Sequence, residues 1–292
     1  MKIALSPRSL APHAAITTDQ IGRLAIRSLY REVATSPKPG LVSPDSKGSH
    51  TDMDYTTFLR SLHALRRYFP AITQCGLSRP SLLPLQTLGI SAEAEMLSAT
   101  NGVNTHRGAI FNLGLLCAAA GLLIADGELP SAQTACDAVK ITWGAEILEG
   151  LVTQSVIATQ SHGLIVARRY GSGGARQEAA AGFPAAMEVG LPAYRSALTR
   201  SGDGDLAAVQ TLFALMAELD DTNLLWRGGR EGLAYGRRVA SDFLTAGGVF
   251  ANDWREHAEA INLDFVAHRL SPGGSADLLG VTLFLAELDG LA

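Results

Sequence analysis

The chain has 292 residues, which is long enough to bury a large core in one domain or in two tightly packed ones. Hydrophobic residues make up 47% of it and charged residues only 18%, so disorder over most of its length is excluded. The formal net charge is −4 and no basic block stands out, which argues against sequence-independent binding to nucleic acid.

The three cysteines, Cys75, Cys117 and Cys136, are far apart and form no C-x-x-C pair. A disulfide framework and a thiolate zinc site are therefore not expected. We expect a reducing, cytoplasmic location. The first 20 residues contain no apolar run of signal-peptide length. We predict a flexible lead-in at 1–17 and a single helical domain at 18–292.

Apolar residues recur at helical spacing along most of the chain, and no alternation of strands and helices is visible. This pattern predicts an all-α fold. Residues 156–166 could instead contain a short strand. The predicted helices lie at 18–35, 53–75, 84–100, 105–125, 131–168, 176–200, 205–220, 230–245, 251–269 and 274–290.

A polar loop at 36–54 separates the first two predicted helices, and we call it the proline loop. Its three prolines and two glycines forbid a long helix. Asp45, His50, Asp52 and Asp54 lie within ten residues, and carboxylates two positions apart can converge on a cation such as magnesium. The alternative is that Thr51 or Asp52 caps the next helix and the other acids are solvated.

Residues 108–125 carry no charge, and 18 such residues reach the lower limit for a membrane span. Several of them are glycine or alanine, no second such segment exists and no aromatic belt flanks it. We therefore predict a buried central helix and no membrane association. Its small residues suit close packing either within one subunit or across a homodimer.

Polar residues precede this central helix. Asn104 or Thr105 can cap it, and His106 and Arg107 stand near its start. A cation at a helix N-terminus opposes the macrodipole, so Arg107 indicates a bound anion nearby. The alternative is that Arg107 pairs with a surface acid.

Two adjacent aspartates, Asp220 and Asp221, end the apolar helix predicted at 205–220. Negative charge is unfavourable at a helix C-terminus, and a bound cation would offset it. Alternatively, Asp221 caps a following turn. Next along the chain, Arg227 offers a guanidinium beside the backbone of Gly228 and Gly229, which suits a phosphate.

The last helix is preceded by Gly273 and Gly274, which allow a ligand close to the backbone. Ser271 or Ser275 can cap this helix, and its free N–H groups can hold a phosphate. Asp277 fits a purely structural role in the first turn. A weaker candidate, for a lid or an adenine-side wall, is the stretch containing Arg176, Glu178, Gly182, Phe183 and Pro184.

Taken together, these stretches resemble the triphosphoribosyl-dephospho-CoA synthase family from about residue 20 to residue 290. The resemblance rests on six motifs in the expected order: Ser-Pro-Lys-Pro-Gly-Leu-Val at 36–42, Gly-Ser-His-x-Asp-Met-Asp at 48–54, Gly-Val-Asn-Thr-His-Arg-Gly-Ala-Ile-Phe at 102–111, Gly-Phe-Pro at 182–184, Asp-Thr-Asn-Leu-Leu-x-Arg-Gly-Gly at 221–229 and Leu-Ser-Pro-Gly-Gly-Ser-Ala-Asp-Leu-Leu at 270–279. Arg107 stands where a lysine is common, and Trp226 where a histidine is frequent, which argues against acid–base chemistry at position 226.

The resemblance implies a helical transferase that uses ATP unusually. The 2′-hydroxyl of 3′-dephospho-CoA attacks C1′ of the ATP ribose, adenine leaves and the triphosphate stays in the product. Such enzymes make the prosthetic-group precursor of malonate decarboxylase or citrate lyase, and this chain is more similar to the malonate versions. The resemblance also implies transient contact with the transferase that takes up the product.

We assign roles to the candidate residues as hypotheses. Breaking an N-glycosidic bond develops positive charge on the ribose, which nearby carboxylates stabilise. Glu32 or Asp52 is the base or cation stabiliser, and His50 or His106 protonates adenine or binds phosphate. Alanine at Asp221 is expected to abolish turnover and leave the protein folded. The predicted ATP and phosphate ligands are Lys38, Arg107, Arg227, Gly228, Ser271, Gly273, Gly274 and Ser275, and the predicted magnesium ligands are Asp54, Asp220 and Asp221.

Two other functions remain alternatives. A helical metal-dependent phosphohydrolase or N-glycosidase could use His50, Asp52, His106 and Asp221 around one or two metals. Only two histidines, His50 and His106, lie in the candidate motifs, which makes a histidine-rich metal centre less favoured. A binding module could hold a nucleotide or CoA without chemistry, or act as a chaperone for an acyl carrier subunit.

Overall fold

The structure, a computed structural model, describes residues 16–157 and 162–291. These contain thirteen α-helices, a π-helical segment and a 3₁₀ turn, and no strand, which confirms the all-α prediction. The predicted lead-in lies almost entirely outside the described residues. The elements are α1 (Thr18–Ala34), α2 (Tyr55–Leu65), α3 (Tyr68–Gly76), α4 (Leu82–Ala99), α5 (Arg107–Ala125), α6 (Ala132–Ile157), α7 (His162–Tyr170), α8 (Gly174–Ala180), the π segment (Ala185–Gly190), α9 (Leu191–Ser201), α10 (Gly204–Glu218), α11 (Thr222–Thr245), the 3₁₀ turn (Gly248–Phe250), α12 (Trp254–Ala267) and α13 (Gly273–Asp289).

Some predicted helices are divided in the structure. The helix predicted at 53–75 is two helices, α2 and α3, because Pro70 has no N–H for an interior helix bond and fits only near a helix start. The helix predicted at 176–200 is broken at Gly182 and Phe183, which both have positive φ, at +85° and +58°.

Two further regions bear on the prediction. No strand lies in the described parts of 156–166, which belong to the ends of α6 and α7; residues 158–161 lie outside the description. Residues 222–229, predicted as a loop, form the first turns of α11 up to a break at Gly229, where φ is +62°.

Three apolar helices, α5, α10 and α13, form the centre of the core, because most of their residues are buried on every side. In the described residues, α5 alone is long and apolar enough to span a membrane. Of its most apolar 18-residue stretch, 72% is buried within the protein. The prediction of a buried central helix is therefore confirmed.

Glycines let α3 and α5 pack almost backbone to backbone. A Cβ placed on Gly76 would lie 2.0 Å from the Ala118 carbonyl oxygen, and one on Gly121 would lie 2.1 Å from the Thr73 carbonyl oxygen. Gly121, one of the small residues of 108–125 predicted to suit close packing, therefore packs within one subunit.

The helix packing brings the starts of α5, α11 and α13 to the end of α1. Asp221, which precedes α11, bonds to Ser275 at the start of α13. A Cβ on Gly108, at the start of α5, would lie 1.9 Å from the Asp277 carboxylate. Three helix N-termini therefore meet in one region, and their partial positive charges favour anions there.

We expect Gly121→Ala to lower the free energy of unfolding by about 1–3 kcal/mol, because the new methyl group would overlap a backbone carbonyl that cannot move alone. Gly89→Ala is the control, since its Cβ would have no neighbour closer than 3.7 Å and alanine favours the interior of α4 by about 0.5–1 kcal/mol. Denaturant unfolding of both variants measures the difference. Equal stability of the two variants would contradict this account of the α3–α5 packing.

Candidate active site

A buried ion pair joins α1 to the proline loop. The Lys38 ammonium donates one hydrogen bond to the Glu32 carboxylate and one to the Glu32 carbonyl oxygen, both at 2.7 Å. Both side chains are almost fully buried, so each charge depends on the other for compensation. The pair fixes the start of the loop beside the helix starts described above.

The rest of the proline loop folds onto the connection between α12 and α13. Gly40 N–H donates to the Asn262 side chain at 2.9 Å, and the Ser49 hydroxyl donates to the Leu270 carbonyl oxygen at 2.5 Å. Gly40 has φ +66°, and a Cβ there would lie 2.1 Å from the same carbonyl oxygen. Only glycine permits this contact.

Four of the predicted site residues meet where this loop touches α11. His50 Nε2 lies 3.0 Å from the Ser271 hydroxyl, while His50 Nδ1 lies 3.4 Å from Arg227 and 3.8 Å from Asp52. The Arg227 guanidinium also donates to two carbonyl oxygens, those of Ser49 and Arg269. We call His50, Asp52, Arg227 and Ser271 the loop cluster.

Charges in the loop cluster act on His50. Burial is the largest effect and lowers the pKa of His50, the Arg227 charge lowers it further and Asp52 raises it. The imidazole is therefore mostly neutral at neutral pH, where it can accept or donate one hydrogen bond. The Asp52 side chain is solvent-accessible, with 60% of its surface exposed.

The second histidine, His106, is enclosed. Its Nδ1 lies 2.6 Å from the Ser61 hydroxyl, its ring meets the edge of Phe58, and its Nε2 has no partner in the part of the chain that the structure describes. Burial, followed by the charge of Lys38, lowers the pKa of His106 to about 3. At neutral pH the His106 imidazole is therefore neutral and cannot act as a general acid. Its remaining role at a site is to hydrogen-bond a ligand.

Asp221 joins two helices. One carboxylate oxygen accepts from the N–H groups of Asn223 and Leu224 and caps α11, as the capping alternative predicted. The other accepts from the N–H and hydroxyl of Ser275 at 2.7 and 2.9 Å. Burial raises the pKa of Asp221, although these bonds to Ser275, Asn223 and Leu224 oppose the shift.

The acids predicted to bind magnesium all have protein partners. Asp54, rather than Thr51 or Asp52, caps α2, and hydrogen bonds from Thr56 and Thr57 lower its pKa to about 2. Asp220 pairs with Arg237 at 2.9 Å. Over residues 16–157 and 162–291, no group of three His, Cys, Asp or Glu side chains is arranged to hold a metal. The ligand roles of Asp54, Asp220 and Asp221 stay predictions.

Several predicted phosphate ligands have structural contacts. Arg107 donates to Glu93 at 2.6 Å, which is the surface-acid alternative. Asn104, not Thr105, accepts from the start of α5, at Arg107 N–H. The cap position of α13 is Pro272, not Ser271 or Ser275. Three predicted glycines pack closely against neighbours: Gly228 against Leu270, Gly273 against Asn223 and Gly274 against Asp221.

A cavity of about 590 Å³ opens beside the start of α13, between α5, α8, the π segment and the junction of α10 with α11. This volume is in the range of small-molecule sites. Five carboxylates line the cavity, so we call it the acidic cavity: Glu178, Glu188, Glu218, Asp220 and Asp277. Asp277 lies near enough to Glu32 and Asp221 for their charges to act on it, and so connects the cavity to the Glu32–Lys38 pair.

Two residues of this cavity were not assigned a catalytic or binding role from the sequence. Asn112 is the one strongly polar residue in the apolar stretch of α5, a signal that could have singled it out. Asp277 is the fifth residue of α13, beyond the first turn in which a structural role was expected. Glu178, a weak candidate before, accepts from Ala185 N–H at 2.6 Å, and burial raises its pKa.

Comparison with known proteins gives a consistent result. Residues 18–292 match the family model described as ATP:dephospho-CoA triphosphoribosyl transferase. The chain is 42% identical over 266 residues to a protein of Acinetobacter calcoaceticus named probable 2-(5''-triphosphoribosyl)-3'-dephosphocoenzyme-A synthase, covering 91% of this chain and 90% of that protein. It is 37% identical over 294 residues to the Klebsiella pneumoniae 2-(5''-triphosphoribosyl)-3'-dephosphocoenzyme-A synthase, covering 97% and 96%. No solved structure matches the chain.

The geometry changes the expectation that Asp221→Ala stays fully folded. We expect it to lower the free energy of unfolding by about 2–4 kcal/mol, because it removes a helix cap and leaves buried donors on two helices unpaired. Asp203→Ala is the matched control, since the Asp203 carboxylate caps α10 through two N–H groups at the surface and bonds no second helix; the backbone bonds of Asp203 to Ser201 remain in the variant. We expect a loss of about 1 kcal/mol there. Equal losses in denaturant unfolding would show that the bond to α13 contributes nothing.

Proposed function

Because the chain belongs to the ATP:dephospho-CoA triphosphoribosyl transferase family, we propose that it joins ATP and 3′-dephospho-CoA into 2′-(5″-triphosphoribosyl)-3′-dephospho-CoA and releases adenine. The chain is a transferase by this membership. The observation that best supports the detailed reaction is the acidic cavity, which opens where three helix N-termini converge.

Such a place suits both ends of ATP. Helix N-termini favour the phosphates, because the helix macrodipole places partial positive charge there, although Asp221 already accepts N–H groups at the starts of α11 and α13. Carboxylates favour the ribose, because the transition state for breaking the N-glycosidic bond carries positive charge near C1′. Asp277 lies at the boundary between these regions, beside Glu32 and on the cavity wall.

The loop cluster supports binding of the triphosphate. Arg227 supplies a cation, and Ser271 and neutral His50 supply hydrogen-bonding groups; Arg227 and Ser271 each lie within 3.4 Å of His50. Asp52, exposed at the edge, and Glu32, held by Lys38, are the proposed base or cation stabiliser. Magnesium would arrive with the triphosphate, because this ion commonly uses few protein ligands together with phosphates.

The product then passes to a further transferase that attaches it to an acyl carrier subunit. We propose that malonate decarboxylase uses this product, with citrate lyase as the alternative. The basis is that the motifs of this chain are more similar to the malonate versions of the family. Transfer of labelled product to each purified carrier subunit with its own transferase would compare the two.

The reaction is tested by mass spectrometry of the products after incubation with ATP, magnesium and 3′-dephospho-CoA, with each omitted in turn. Free adenine and triphosphoribosylated dephospho-CoA that require both substrates would support the proposal. ATP left intact would refute it. ADP or free ribose triphosphate formed without dephospho-CoA would favour the metal-dependent hydrolase.

We expect Arg227→Gln to raise the KM for ATP about 10-fold or more, because a charge-assisted hydrogen bond to phosphate contributes about 1.5–3 kcal/mol. Arg230→Gln is the control, since Arg230 lies three residues further along α11 and is exposed. Initial rates at varied ATP concentration measure the effect. An unchanged KM in Arg227→Gln, with normal folding, would remove Arg227 from the phosphate site.

A further inference from the structure

We infer that the acidic cavity holds the adenine base of the nucleotide, with Asn112 recognising the edge of the base and Asp277 giving it the proton with which it leaves. This inference rests on the proposed function and adds two residues to it.

Asn112 is a buried amide with an unused hydrogen-bonding group. The side chain lines the cavity, the residue is only 1% exposed, and its Oδ1 has no hydrogen-bond partner among the described residues. A buried polar atom without a partner is costly, and a ligand can satisfy it. A carboxamide pairs well with adenine, which presents an amino donor beside a ring nitrogen acceptor.

Asp277 lies next to Asn112 along one face of α5. Gly108 and Asn112 are four residues apart and therefore share that face. Asp277 Oδ2 would lie 1.9 Å from a Cβ on Gly108, so its carboxyl group occupies the space that a side chain there would fill. The carboxyl group makes no hydrogen bond to any described residue and lines the same cavity as Asn112.

The surroundings of Asp277 keep its proton on. Burial is the largest cause that raises the pKa of Asp277, and the negative charges of Glu32 on α1 and Asp221 before α11 raise it further. The pKa of Asp277 therefore lies well above its usual range. Glu178 and Glu188, on α8 and the π segment, line the same cavity and add further acidic groups. The Lys38 ammonium donates to Glu32.

The cavity also suits the flat faces of a purine. Its lining includes apolar side chains from three different elements, which can cover the ring faces while the polar groups meet the edge. These side chains are Pro184, Val189, Leu219 and Leu278.

The step balances as follows. The C1′–N9 bond breaks and its electron pair goes to the base, while the Asp277 proton moves to a ring nitrogen such as N7, so that neutral adenine leaves. The 2′-oxygen of dephospho-CoA forms the new bond to C1′ and gives its proton to a second carboxylate, for which Glu32 and Asp52 are the candidates. Exchange with solvent returns both acids to their starting states.

The base site is tested by calorimetric titration of adenine and hypoxanthine into the full chain. We expect the wild type to bind adenine more tightly than hypoxanthine, and Asn112→Leu to bind adenine at least ~10-fold more weakly. Leucine suits the apolar helix, so this variant should fold. Asn252→Leu, at an exposed position, should match the wild type. No binding of adenine to the wild type at millimolar concentration, or equal affinity in Asn112→Leu, would overturn the base site.

The proton donor is tested with ATP and 7-methyl-ATP, whose cationic base leaves without an added proton. We expect Asp277→Ala to lower adenine release from ATP by ~10²–10⁴-fold and release from 7-methyl-ATP by less than ~10-fold. Asp205→Asn, an exposed acid on α10, should behave as the wild type. An equal loss on both nucleotides would overturn the proton-donor role. Circular dichroism checks the fold, which should persist because no described residue bonds to this carboxyl group.

The two proposals can fail separately. A wild-type chain that forms no triphosphoribosyl product refutes the proposed function, while the adenine titration still reports on Asn112. A wild type that forms the product, combined with Asn112 and Asp277 variants equal to their controls, refutes only the inference.

Discussion

The architecture of this region depends on the buried Asp221 carboxylate. It accepts hydrogen bonds from the starts of both α11 and α13, although burial makes its charge costly. Four donors in fixed positions compensate for that cost only if the two helix starts stay together. The same contact holds the first turns of α13, and hence Asp277, against α5. One carboxylate thus sets the geometry in which the other acids meet a ligand.

The sequence was sufficient for the fold class because α5 and α13 are long apolar segments with clear helical spacing. It was insufficient where a helix ends for reasons of tertiary packing. Phe183 adopts a positive φ that periodicity does not reveal, and the π segment that follows forms one wall of the cavity. A hydrophobic pattern carries no signal for such a break.

The candidate site was predictable in part for a similar reason. Motifs of glycine, proline and charged residues located the proline loop and the starts of α11 and α13, and the structure brings His50, Arg227 and Ser271 together. Which acids are free to react could not be predicted, since it depends on partners distant in sequence. Asp221, chosen for its unfavourable place after an apolar helix, is fully bonded, whereas Asp277, which looked structural, makes no hydrogen bond to a described residue.

Gly108 and Asp277 explain each other in physical terms. Glycine in a helix costs conformational entropy relative to alanine, and near the start of α5 this cost has no local compensation. The Asp277 carboxyl group occupies the position of the missing Cβ, so a larger residue at position 108 would displace that group. The buried Asn112 Oδ1 atom has no hydrogen-bond partner among the described residues, and the Asp277 carboxyl group makes no hydrogen bond to one either. Unfavourable choices on two helices thus fall on one wall of one cavity, which is the distribution expected where stability is exchanged for the ability to bind a ligand.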